Sequence, residues 1–147
     1  MKHKKIRKTK YYKSIFWILL IAFIVVLSQF FIPAVTEILQ GSLLFLLPHA
    51  IFSVLGAALI FFTIKEKVEG KLKIFLILTG ISSAGFLIGI VLHNFIYALA
   101  IITKDIAILS YSMEILHAAF FLIAVIVCPI GFLIGAIGSI VLFFKKK

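Results

Sequence analysis

Residues 74–103 read IFLILTGISSAGFLIGIVLHNFIYALAIIT, 30 positions without a charge between Lys73 and Lys104. A bilayer core about 30 Å thick is crossed by about 20 apolar residues in a helix. This stretch would span about 45 Å at 1.5 Å per residue. It shows no period-2 alternation, which argues against a barrel strand and for a helix. Three further uncharged windows lie at 14–36, 38–64 and 115–144. Each has room for one crossing and none comfortably for two. The expected fold class is therefore all-α, a polytopic transmembrane bundle of four helices. Their expected limits are about 14–32, 42–64, 73–102 and 114–144, in a single membrane domain over 1–147 with cytoplasmic tails at 1–13 and 145–147.

Composition excludes the alternatives. Of the 147 residues, 64% are hydrophobic and only 14% charged. Disorder needs low hydrophobicity, and a soluble domain could not cover so much apolar surface. Residues 1–13 followed by an apolar run resemble a signal peptide. The run is long for one, and no small-x-small site follows it, so it is expected to stay as a helix. Pro48 and Pro129 are the expected bends of the second and fourth helices. The lone Cys128 can form no internal disulfide and no paired-thiol centre.

Charge sets the expected orientation. Seven basic residues lie between Lys2 and Lys13, four in the 65–73 loop and three at 145–147; Lys104 alone falls on the other side. The positive-inside rule then places both termini in the cytoplasm, across a cytoplasmic (plasma) membrane. The net charge is +10. Because these charges flank apolar segments, membrane lipids with anionic headgroups are the expected partner of the basic tail, and nucleic acid is not.

Inside lipid, small residues let helices approach. Ala124, Cys128, Gly131, Gly135 and Ser139 form one stripe; Ser82, Gly85 and Gly89 form a second; Ser53 and Gly56 stand on the second helix. These faces should form the centre, with Phe, Leu and Ile towards lipid. The string Gly-Phe-Leu-Ile-Gly occurs at 85–89 and again at 131–135, without a wider repeat.

Polar groups within membrane helices are candidate functional residues. His49, His93 and His117 sit on three different helices, each on its small-residue face at about 100° per residue. Gln29, Asn94, Tyr97 and Glu114 complete an expected polar cluster in the outer half. Three readings stay open for the histidines: hydrogen bonds to neighbouring helices, a haem b held by two of them (His49 with His93 by matched depth), or a metal ion or polar ligand pocket. Helix rise spreads the three over about 18 Å, too far for one metal without a strong tilt of the fourth helix. Within this set His93 is expected to meet His117 or Glu114 before His49. No C-x-x-C-H, H-E-x-x-H, Walker or G-x-S-x-G motif occurs, so no catalytic residue is assigned and no cofactor is required.

Leu78-Thr79-Gly80, Gly85-Phe86, Leu92-His93-Asn94 and Tyr97 resemble a pattern in a family of small uncharacterised prokaryotic membrane proteins. The resemblance implies four membrane helices, no assigned activity, and His93-Asn94 as the first site to inspect. The expected function is that of a small, non-enzymatic integral membrane protein packing through its small-residue faces, as a homo-oligomer or as an accessory subunit of a membrane complex. The alternatives are a haem- or metal-binding redox or sensor protein and a small-solute pore or carrier formed by oligomerisation.

Overall fold

The computed structural model describes residues 10–34, 37 and 43–145. The basic stretch Lys2–Lys8, Gln40-Gly41 before the second helix, and Lys146-Lys147 lie outside the described residues. Helix α1 runs over Tyr11–Phe31, α2 over Leu46–Lys65, α3 over Gly70–Ile102, α4 over Ala107–Leu122 and α5 over Cys128–Lys145. Among the described residues there is no strand. A π-turn at Ile123–Val127 joins α4 to α5, so that the two form one fourth span of 39 residues, Ala107–Lys145. All four spans are long and apolar enough to cross a membrane.

Several limits differ from those the sequence suggests. The fourth span begins at Ala107 rather than 114, because Tyr111, Ser112 and Glu114 continue the helix beyond the uncharged window. The loop between α3 and α4 shrinks to residues 103–106. Helix α2 starts at Leu46 after a 3-10 turn at Leu43–Phe45, rather than at 42. Pro48 consequently falls at the helix start rather than within its length. It lies in the first turn, where a missing N–H has no helical acceptor to leave unpaired.

Pro129 does distort its helix. The N–H of Cys128 donates to Ile123 O, five residues back, in place of the usual four. A proline at 129 has no N–H for residue 125, and its ring crowds that carbonyl. One extra residue in the turn relieves the crowding.

Helix α3 is the central element and packs against α2, α4 and α5. Small residues allow this. A Cβ built on Gly135 would fall 2.7 Å from Thr79 N, one on Gly131 would fall 2.5 Å from Ser82 Oγ, and one on Gly89 would fall 3.0 Å from Ala124 Cβ. The expected stripes thus meet each other along α3 and the fourth span. Two serines also tie α2 to α3 across the close approach: Ser83 Oγ donates to Phe52 O at 2.6 Å and Ser53 Oγ to Ala84 O at 3.2 Å.

The expectation that phenylalanine faces lipid holds for only part of the set: Phe31, Phe61, Phe95, Phe121 and Phe144 are exposed. Phe16, Phe52, Phe86 and Phe132 are buried. Helix α1 lacks a small-residue stripe, so it cannot approach the fourth span closely. Rings fill that gap: Phe23 stacks on Phe132 at 4.3 Å and Phe16 meets Phe143 edge-on at 5.3 Å. Isoleucine does face outward, as Ile21, Ile24, Ile74, Ile81 and Ile137 show. At the lysine-rich end, Tyr11 packs on Phe62 and Lys13 sits over the Phe143 ring, which draws the start of α1 to the ends of α2 and α5.

Candidate functional site: a cavity walled by all four spans

Away from the lysine-rich end, α1 and the fourth span separate and leave a cavity of about 620 Å³. Every span contributes to its wall: Phe23, Leu27 and Phe31 from α1, His49 and Phe52 from α2, Ser82, Phe86 and His93 from α3, and Phe121, Ala124 and Cys128 from the fourth. Seven phenylalanines line it in all. The π-turn and Pro129 form one side, so the same distortion that accommodates the proline shapes the chamber. Phe31 and Val125, both exposed, stand at its rim.

The candidate polar residues divide into two groups rather than one cluster. In the first, His49 Nδ1 donates to Phe45 O at 2.9 Å and Gln29 Nε2 reaches the same carbonyl at 3.4 Å. Both side chains are buried, and the His49 ring lies parallel to Phe86, with centroids 5.6 Å apart. That carbonyl belongs to Phe45, the residue at the junction of the 3-10 turn and α2.

In the second group, His93 Nδ1 donates to His117 O at 2.9 Å, and the two rings stand 5.2 Å apart. Tyr97 lies edge-on to His117 at 5.4 Å and Phe121 lies 5.3 Å from His93. The fourth span, rather than His49, supplies the partner of His93. Glu114, placed with His117 as a candidate partner, is exposed instead. Asn94 donates to Ile90 O on its own helix, also at an exposed position. The Nδ1 of His117 is buried and takes no hydrogen bond.

A carbonyl oxygen can only accept, so Nδ1 carries the proton in both His49 and His93. In the neutral ring, Nε2 then bears the lone pair. Both rings line the cavity. This is the arrangement in which a histidine ligates a metal through Nε2 while its other nitrogen is oriented by a backbone carbonyl. Among the described residues no three His, Cys, Asp or Glu side chains converge as a metal site. A two-histidine haem would need only His49 and His93.

The cavity itself was not legible in the sequence, and neither were the roles of Thr79, Gly80 and Ser83. Gly80 and Ser83 share a helix face with Leu76, distinct from the Gly85–Gly89 face.

Fold and site together define a small multi-pass bundle of membrane-spanning type with an aromatic-walled internal cavity. In comparison with known proteins the chain matches no family model, and no curated protein and no solved structure is significantly similar to it.

Proposed function

We propose that this chain is a non-enzymatic membrane protein that holds an apolar guest molecule within its bundle. The observation that carries this is the cavity: about 620 Å³, phenylalanine-lined, with histidines on its wall. Small-molecule sites are apolar clefts of about 300–1,000 Å³ with a few placed polar groups. The reading places the protein in a cytoplasmic membrane with both termini inside and with its N-terminal lysines on anionic headgroups. The small-residue faces pack within the chain, so contacts with a second copy or a complex partner would use other surface, such as α4, which buries none of its residues.

Leu27→Trp tests the reading by filling the cavity from α1. Native mass spectrometry of the full chain should show a hydrophobic small molecule retained by the wild type and lost from the variant. Identical spectra without any bound species would overturn it.

A second reading, haem b between His49 and His93, is favoured by the place of both rings on the cavity wall. A Soret band in purified protein would support it; a featureless visible spectrum after expression with added haemin would remove it.

A further inference from the structure

On the wall of the cavity His93 offers an acceptor rather than a donor. His93 commits its one N–H to His117 O, so the ring can add only an accepted hydrogen bond at Nε2. Beside it Asn94 donates one N–H to Ile90 O and retains both its carbonyl oxygen and its second N–H. A guest whose head rests on His93 therefore needs a hydrogen-bond donor there, and in apolar surroundings a hydroxyl meets that need without a charge. An acceptor placed against His93 Nε2 would set lone pair against lone pair and leave that ring nitrogen desolvated and unpaired.

The walls specify the shape of the head. Phe45, Phe86 and Phe121 stand around His49 and His93. Aromatic walls favour a flat ring in offset or edge-on contact. The length specifies the rest. Ser82 and His93, both on the wall, are 11 residues apart on α3, about 16 Å of helix. A single ring would leave most of that length empty, and everything between is apolar or aromatic.

We propose that the cavity is a binding site for an alkyl- or prenyl-substituted hydroquinone, its hydroxyl donating to His93 Nε2 and its chain lying along α3 towards Ser82 and Cys128. The corollary is a preference for the hydroquinone over the corresponding quinone, whose carbonyl oxygens cannot donate. This rests on the reading of the cavity as a guest site and specifies the guest.

The test is equilibrium dialysis of the full chain in lipid nanodiscs, under anaerobic reducing or oxidising conditions, with decyl-substituted benzohydroquinone and its quinone as probes. Wild type should bind the hydroquinone about tenfold more tightly, the worth of one neutral hydrogen bond. His93→Phe keeps a ring in the wall and should equalise the two. His117→Ala keeps the backbone carbonyl that orients His93 and should preserve the preference. Leu27→Trp should weaken both probes together. Equal wild-type affinities, or a preference that survives in His93→Phe, would overturn the hydroxyl assignment while Leu27→Trp sensitivity upholds the cavity as a guest site. Absence of binding by both probes, or binding indifferent to Leu27→Trp, would remove the hydroquinone altogether, and the mass-spectrometric comparison above then decides the cavity independently. A His93-dependent Soret band would name haem as the occupant and overturn the proposal. The wild-type affinity ratio stands as a test even if the His93 variant does not fold.

Discussion

Gly56 and Gly80 face each other so closely that a Cβ on either would stand 2.7–2.8 Å from the carbonyl oxygen of the other. No side chain can be inserted there without separating α2 from α3. Gly56→Ala should therefore cost about 1–3 kcal/mol as an overpacked contact, read as a lowered melting temperature in detergent. Gly80→Ala should cost a similar amount, since its Cβ would meet the β-branched Ile60 at 2.6 Å and the Gly56 carbonyl at 2.8 Å. Once one alanine has pushed the helices apart, the second adds little, so the double variant should fall short of the sum. Additive losses would show that the two glycines do not share one contact.

The fourth span permits a sharper comparison. A Cβ on Gly135 would fall 2.5 Å from Thr79 Oγ1 and 2.8 Å from Phe75 O, while Leu133, two residues away, is half exposed at 46%. Gly135→Leu should lower the melting temperature markedly. Leu133→Ile, which conserves volume on an outward face, should leave it within the range of ordinary surface substitutions, about 0.5 kcal/mol. Equal melting temperatures would count against the stripe as the packing surface.

These contacts show what the sequence could and could not disclose. Spans follow from charge-free windows because the bilayer imposes a length, and stripes follow from residue size because backbone approach demands it. Chain ends of helices were less legible: Tyr111 and Ser112 continue α4 beyond the apolar window since helical hydrogen bonding does not stop at the hydrocarbon edge. The cavity was invisible because it arises from an absence, the lack of small residues on α1 opposite the fourth span. His93 and His117 could be placed on facing helices by topology. That Gln29 and His49 share the carbonyl of Phe45 depends on the 3-10 turn before α2, which no periodicity announced.

The turn after α2 carries a correctable strain. Val68 N donates to Thr63 O and Lys67 N to Ile64 O, the paired bonds of a Schellman ending, and Lys67 holds φ at 52°. Glycine is the usual residue in that left-handed position. Lys67→Gly should raise stability by about 1 kcal/mol, the scale of the Cβ clash it removes. An unchanged or lowered melting temperature would mean the turn relaxes differently from the native geometry.

Orientation is testable with single cysteines placed at Lys67 and Asp105 in a Cys128→Ser background. The two positions lie in loops at opposite ends of the bundle. With the lysine-rich end inside, an impermeant thiol reagent on intact cells should label the Asp105 site and spare the Lys67 site. The reverse pattern would invert the topology.

The π-turn makes a prediction about deletions. Removing Ile126, which is exposed, would let Ile123–Val127 close as a regular α-helix. The faces of α4 and α5 would then keep their relation to α3, because the lost residue is the one the wide turn absorbs. The cost falls on Pro129, whose ring would meet the carbonyl four places back. That carbonyl would be Ala124 O, on a residue held against Gly89. A proline inside a regular helix costs about 3 kcal/mol, so the single deletion should be destabilising by about that amount, and adding Pro129→Ala should recover most of it. Deleting Ile137 instead, an exposed residue in the regular part of α5, rotates one side of the helix about 100° against the other. Gly135 and Ser139 could no longer both face α3, and no substitution at Pro129 should rescue the fold. Thermal unfolding of the deletion variants, with and without Pro129→Ala, distinguishes these cases. If Pro129→Ala rescues both deletions or neither, the π-turn is not what keeps the two halves of the span in register.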